Sequence, residues 1–230
     1  ENSFDWLSKL KVLDLSGAAC ENNEIPPHAF RENTNITKII IPDNLERTRI
    51  HAFSSMTNLT YLGTNAGNLK LPESLKVLGA GTFFKDSSLE GKLDLPKNLE
   101  AIGAACFNGS AVGDKNSTVF IRNGVETVKN IDAADGQTGS KGAIFAGTTN
   151  IKSIVFEEGI QEIGDSFSNE SSGLTSIVLP NTVKNIDGRA FRKTGLTGTV
   201  VIPASVKTIG ASAFAKNTSV DNFIVGNPNI

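Results

Sequence analysis

Hydrophobic residues recur along this chain as short alternating groups closed by proline. Ile39-Ile-Ile41-Pro42, Leu69-Lys-Leu71-Pro72, Leu93-Asp-Leu95-Pro96, Ile177-Val-Leu179-Pro180 and Val200-Val-Ile202-Pro203 all read apolar, variable, apolar, Pro. A period of two is the mark of a strand with one buried face. Pro has no N–H to donate, so it stops such a strand and turns the chain. A second apolar pair follows, often with Gly behind it, as in Leu75…Leu78-Gly79, Leu99…Ile102-Gly103 and Val206…Ile209-Gly210. This predicts another short extended segment, with Gly permitting a left-handed turn. A small residue and a Phe come last, as in Ala52-Phe53, Cys106-Phe107 and Ala190-Phe191. That pair is expected to open a short helical turn, the small residue letting neighbours approach and the Phe filling the core.

Phe30, Phe53, Phe83, Phe107, Phe145, Phe167, Phe191 and Phe214 stand at steps of 23, 30, 24, 38, 22, 24 and 23 residues. A period near 23 broken by two insertions predicts a stack of similar coils, each hiding its apolar face only against its neighbours. The insertions fall near Gly63 to Asn68 and from Lys129 to Gly142; the second is polar, Gly-rich and read as a loop. Two units depart at the turn, where Arg122 follows Ile121 and Glu157 follows Phe156 in place of Pro. The first unit is loose. Residues 1–24 are therefore expected to be an N-terminal cap or the end of a preceding module, and 25–230 a solenoid whose last coil is incomplete.

The full pattern, L-x-x-I-x-I-P-x-x-V-x-x-I-G-x-x-A-F carried from about Ile25 to Val225, resembles the leucine-rich repeats of the BspA-like class, the Treponema pallidum and Bacteroides surface antigen type. Ordinary leucine-rich repeats carry Asn in the turn after the strand, where this chain carries Pro. The resemblance implies a right-handed leucine-rich repeat solenoid of about eight coils, mainly short parallel β-strands with short helical turns, and a concave sheet. It also implies a bacterial protein, secreted or held at the cell surface, with adhesive or host-interaction roles.

Hydrophobic residues make up 39% of the chain and charged residues 20%, with a net charge of −2 and a pI of about 5.8. No basic stripe is present, which argues against a nucleic-acid partner. No apolar run is long enough to span a membrane. The chain opens Glu1-Asn-Ser-Phe4, so a signal peptide would have been removed before this numbering. Cys20 and Cys106 lie about three coils apart, roughly 14 Å at ~4.8 Å per coil, beyond the ~7 Å reach of a disulfide; two free, mostly buried thiols are expected.

Outward positions of the predicted sheet form two columns. One reads Lys38, Asn68, Lys92, Thr118, Ser153, Ser176, Thr199 and Asn222. The other reads Ile40, Lys70, Asp94, Phe120, Val155, Val178, Val201 and Ile224, and is apolar in every coil from Phe120 onward. A contiguous exposed apolar stripe marks a partner-binding face, with Phe120 as its anchor. β-branched residues also suit a strand surface on their own account, and the insertion is a candidate cover for Phe120.

Catalysis finds no support. His28 and His51 stand just before core Phe residues and read as surface or capping groups. Asp132 and Asp135-Gly136 lack the spacing of a calcium loop, and no cofactor or metal is expected. The expected function is non-enzymatic binding of a host or bacterial surface protein, by a monomer, through the sheet or the inserted loops. A glycan-binding module and a structural spacer are the alternatives; the first is disfavoured because only Trp6 and Tyr61 stand beside the Phe residues as aromatic platforms.

Overall fold

In the computed structural model, which describes residues 7–114, 117–122 and 142–230, the repeats wind into an all-parallel solenoid of about eight coils. Its strands are β1 (Val12–Asp14), β2 (Glu24–Ile25), β3 (Lys38–Ile40), β4 (Arg47–Thr48), β5 (Tyr61–Gly63), β6 (Val77–Leu78), β7 (Ala101–Ile102), β8 (Ser117–Ile121), β9 (Ile151–Phe156), β10 (Glu162–Ile163), β11 (Ser176–Val178), β12 (Asn185–Ile186), β13 (Thr197–Ile202), β14 (Thr208–Ile209) and β15 (Ser219–Val225). One face joins β1–β3–β5, β8–β9–β11 and β13–β15. A second, of two-residue strands, joins β2–β4–β6–β7 and β10–β12–β14. The loose first unit carries a strand in each face, Val12 opposite Lys38 and Ile25 opposite Thr48.

Like residues stack on like. Phe30 and Phe53 have ring centroids 5.4 Å apart, Phe83 and Phe107 5.2 Å, and Phe191 and Phe214 5.4 Å, all stacked. Each ring removed from water contributes about 1.5–3 kcal/mol. The column breaks step at one place. Phe156 occupies the strand position of Ile121 in the preceding coil, and its ring meets Phe167 at 5.2 Å and 52°. Phe167 also enters its corner one position early, its carbonyl accepting from Phe145 N–H at 2.8 Å where Thr82 and Cys106 accept in earlier coils, and its ring lies at 60° to Phe145. Both cysteines are unpaired, Cys106 buried and Cys20 half-buried.

The corner bearing each Phe is not a helical turn. Residues two before and two after the first Phe, His28 and Glu32, have φ of 55° and 60°. The same two left-handed sites recur as His51 and Ser55, Gly81 and Lys85, Arg189 and Lys193, and Ser212 and Lys216. Left-handed backbone at a non-Gly residue costs about 1–2 kcal/mol. Hydrogen bonds between coils offset it: His28, Phe30 and Glu32 donate their N–H to Ile50 O, Ala52 O and Ser54 O at 3.0, 2.8 and 2.9 Å. His51, Phe53 and Ser55 repeat this toward Ala80, Thr82 and Phe84. The corner is thus a third line of pairing, built around two left-handed residues four positions apart.

The Gly after the second strand also differs from expectation. Gly79, Gly103 and Gly210 do not have left-handed φ. They are small because the backbone of the preceding coil lies against them: a Cβ on Gly103 would collide with Ala80 N, and one on Gly210 with Gly188 N.

Candidate functional site

The face of longer strands divides into two halves. In the second half both outward columns form in the expected register. Thr118 pairs with Ser153 and Ser153 with Ser176; Phe120 pairs with Val155 and Val155 with Val178. In the last two strands Thr199 pairs with Asn222 and Val201 with Ile224. The two sheets meet where β13 carries a bulge at Gly198/Thr199, and there Thr197 N–H donates to Thr175 O at 3.2 Å. Inward residues alternate with these, so Val119, Ile154 and Val200 are buried while Phe120 is 46%, Val178 53%, Val201 55% and Ile224 52% exposed. Val155 is half-buried between Phe120 and Val178. The flanking hydroxyls bond to each other, Ser176 Oγ to Ser153 Oγ at 2.9 Å. No charge occurs at any outward position of either column from Thr118 to Ile224.

The first half departs from the predicted columns. Lys38 and Ile40 pair with Tyr61 and Gly63, not with Asn68 and Lys70. The insertion after Gly63 folds back on β5, with Leu69 N–H donating to Leu62 O at 2.7 Å. Asn68 is a stitch in this fold-back and not an outward ligand. Its Oδ1 accepts from Leu62 N–H at 2.9 Å, and its Nδ2 donates to Thr60 O at 3.1 Å and Glu90 O at 2.7 Å. Lys70 then bridges to Asp94, whose carboxylate lies 3.8 Å from its Nζ. Lys38 Nζ sits 4.4 Å over the Tyr61 ring, and Tyr61 OH donates to Thr64 O at 2.9 Å, so this aromatic face is already covered by a cation.

Other candidates gather no chemistry. The His28 and His51 rings stack on each other at 5.6 Å, and His51 meets Phe84 edge-on at 6.1 Å. Burial, together with the neighbouring His28 and Arg31, lowers the His51 pKa. Parallel rings direct their nitrogens along parallel planes, a poor arrangement for sharing one ion. Among the described residues no three His, Cys, Asp or Glu side chains assemble, and no helix is long and apolar enough to cross a membrane. An open hollow of about 530 Å³ lies at the first coil, lined by Leu15, Cys20, Ile25, Pro26 and Phe30 among others. Glu158 is held in its corner by Asn181 N–H at 3.0 Å. Asp132, Asp135 and Gly136, Trp6 and the insertion from Lys129 to residue 141 lie outside the described residues.

The sequence matches the family model of the BspA type leucine rich repeat region in six copies, over residues 60–131 and 120–221. The fold is similar to that of a leucine-rich repeat protein from Bacteroides ovatus, with a TM-score of 0.59 and 20% identity, covering 94% of this chain and 64% of that one. It is similar also to a leucine rich cell surface protein from Faecalibacterium prausnitzii, with a TM-score of 0.58 and 18% identity, covering 84% of this chain and 48% of that one. The chain thus spans less than two thirds of either neighbour. No curated protein matches it.

Proposed function

As the chain belongs to the BspA-type leucine-rich repeat family, matched over more than half its length, we propose that it is a non-enzymatic repeat protein, extracellular or at a cell surface, that binds a protein partner through the second half of its long-strand face. The observation that carries this reading is the uncharged stripe Phe120, Val155, Val178, Val201 and Ile224, with Ser153, Ser176 and Thr199 beside it. Desolvating such a surface costs little, because its polar groups are neutral hydroxyls that re-bond easily, and its apolar groups gain from burial. A large aromatic at one end, flanked by smaller β-branched residues, is the composition of an anchor and its surround. The Faecalibacterium neighbour, a cell surface protein, supports the location. The partner is a host or bacterial surface protein, and adhesion is the role such a face suits; the protein acts as a monomer in this reading.

The test is binding of the purified chain to arrays of extracellular-matrix proteins and host glycans, beside a Phe120→Ser/Val178→Ser/Val201→Ser variant. A protein bound by the wild type and lost in the equally folded variant supports the reading. A protein bound equally by both moves the site off the stripe. Glycan binding alone replaces the protein-binding function, and no binding at all leaves a spacer.

A further inference from the structure

Several of the corners that carry a Phe end in a polar residue whose side chain donates to a Phe carbonyl. Ser110 Oγ donates to Phe107 O at 2.8 Å, Thr148 Oγ1 to Phe145 O at 2.9 Å, and Ser171 Oγ to Phe145 O at 2.6 Å. Asn217, three residues after Phe214, shows the complete arrangement. Its Oδ1 accepts from Thr194 N–H of the preceding coil at 2.8 Å, and its Nδ2 donates to Phe191 O and Phe214 O, both at 2.8 Å.

Asp86 stands three residues after Phe83 and is fully buried. Its Oδ1 repeats the Asn217 contact, accepting from Met56 N–H of the preceding coil at 2.9 Å. Met56 is three residues after Phe53, as Thr194 is three after Phe191. The equivalence places Asp86 Oδ2 where Asn217 carries its donating nitrogen, toward the carbonyls of Phe53 and Phe83. Oδ2 is buried with no hydrogen-bond partner, and Phe53 O accepts no hydrogen bond from a donor among the described residues. On that equivalence the two oxygens without a donor share one dry interior, where they repel and each loses its water without compensation. A carboxylate is an acceptor only, whereas a carboxylic acid supplies the missing O–H.

We propose that Asp86 keeps its proton at neutral pH and donates Oδ2–H to the Phe53 carbonyl, so that a carboxylic acid fills the place of an asparagine and pins two coils together. Burial acts in the same direction, raising the Asp86 pKa well above the usual carboxylate range, and the Met56 N–H opposes it only in part. The titratable group facing Asp86 is Cys106 of the next coil, whose thiol burial itself pushes up and which therefore brings no charge. No cation among the described residues offsets the burial. The folded chain thus holds a proton that the unfolded chain releases above about pH 4. Stability is highest below that value and falls as pH rises toward the folded pKa; alkali, not acid, loosens this joint.

The experiment compares thermal melts of the wild type and Asp86→Asn at about pH 4 and about pH 8, on either side of the unfolded carboxyl's titration. The variant is expected to melt higher than the wild type at the upper pH, with the gap closing at the lower. A gap equal at both pH values, or a variant that melts lower at the upper pH, overturns the proposal. Infrared spectra of the wild type alone supply a second reading that does not depend on the variant folding. A protonated-carboxyl stretch present in the native protein at neutral pH and lost on unfolding is expected; its absence from the native spectrum overturns the proposal as well.

Discussion

Phe107 and Phe145, 38 residues apart in the chain, lie face to face with centroids 5.1 Å apart and planes within 1°. The longest step in the sequence is therefore an ordinary step in the core. Whatever the intervening residues do, the Phe column does not register their number, because a loop that starts and ends on adjacent coils closes with an entropy cost that grows only slowly with length.

Removing one of these rings opens a cavity that rigid neighbours on both sides cannot close. Phe107→Ala is expected to destabilise the solenoid by about 3–5 kcal/mol. Denaturant unfolding followed by circular dichroism measures it, and a loss below about 1 kcal/mol would show that the stack relaxes into the gap.

Phe120 is the contrasting case. It is as large as Phe107 but outward-facing, so Phe120→Ser is expected to move stability by no more than about 0.5 kcal/mol. A large loss in the same unfolding assay would mean that Phe120 is packed in solution, and the stripe would lose its anchor.

Much of this division between inward and outward Phe was legible in the sequence, since alternation and the Phe period assign faces without further information. The columns from Thr118 to Ile224 follow directly, because each unit there has one candidate strand between one small residue and one turn. The coil after Phe53 defeats the same logic. Leu62 and Leu69 both have the phase of a buried strand residue, and alignment on Pro72 selects the second. Pairing with Ile39 selects the first, and the Asn68 amide ties the two together through three backbone groups. Such a side-chain stitch has no periodic signature. Nor has the pair of left-handed sites in the Phe corner, because His, Glu, Ser, Lys and Arg all occupy them. Their backbone conformation is set by main-chain hydrogen bonds to the next coil and not by intrinsic preference.

His51 gives the solenoid an acid-sensitive point. Its pKa is lowered below the ordinary 6.5, first by burial and then by His28 and Arg31. The unfolded chain consequently binds the proton more readily than the folded one, and stability is lost as pH falls below about 6.5. His51→Asn, chosen because Asn tolerates left-handed φ, is expected to flatten the decline of Tm between neutral and mildly acidic pH. An unchanged slope in the variant would assign the acid sensitivity elsewhere.

Gly103 is constrained by contact and not by dihedral. Gly103→Ala drives a methyl against the Ala80 backbone, at a cost of about 1–3 kcal/mol. Gly17, with nothing within 4 Å of an added Cβ, is the control, and Gly17→Ala should leave the unfolding midpoint nearly unchanged. Equal midpoints for the two variants would contradict the close approach.

The Phe corners also give the molecule an electrical direction. In the coil of Phe53, the carbonyls of Ile50, Ala52 and Ser54 turn back toward the first coil, while the N–H groups of His51, Phe53 and Ser55 turn forward toward the next. These three peptide groups are therefore aligned along the axis, each a dipole of about 3.5 D. Strand dipoles largely cancel within a sheet; those of the corner add, coil upon coil. Partial positive charge accumulates toward the C-terminal end of the column and partial negative charge toward its beginning. The two ends of the solenoid are thus electrostatically unlike, by virtue of backbone geometry rather than of any ionisable side chain.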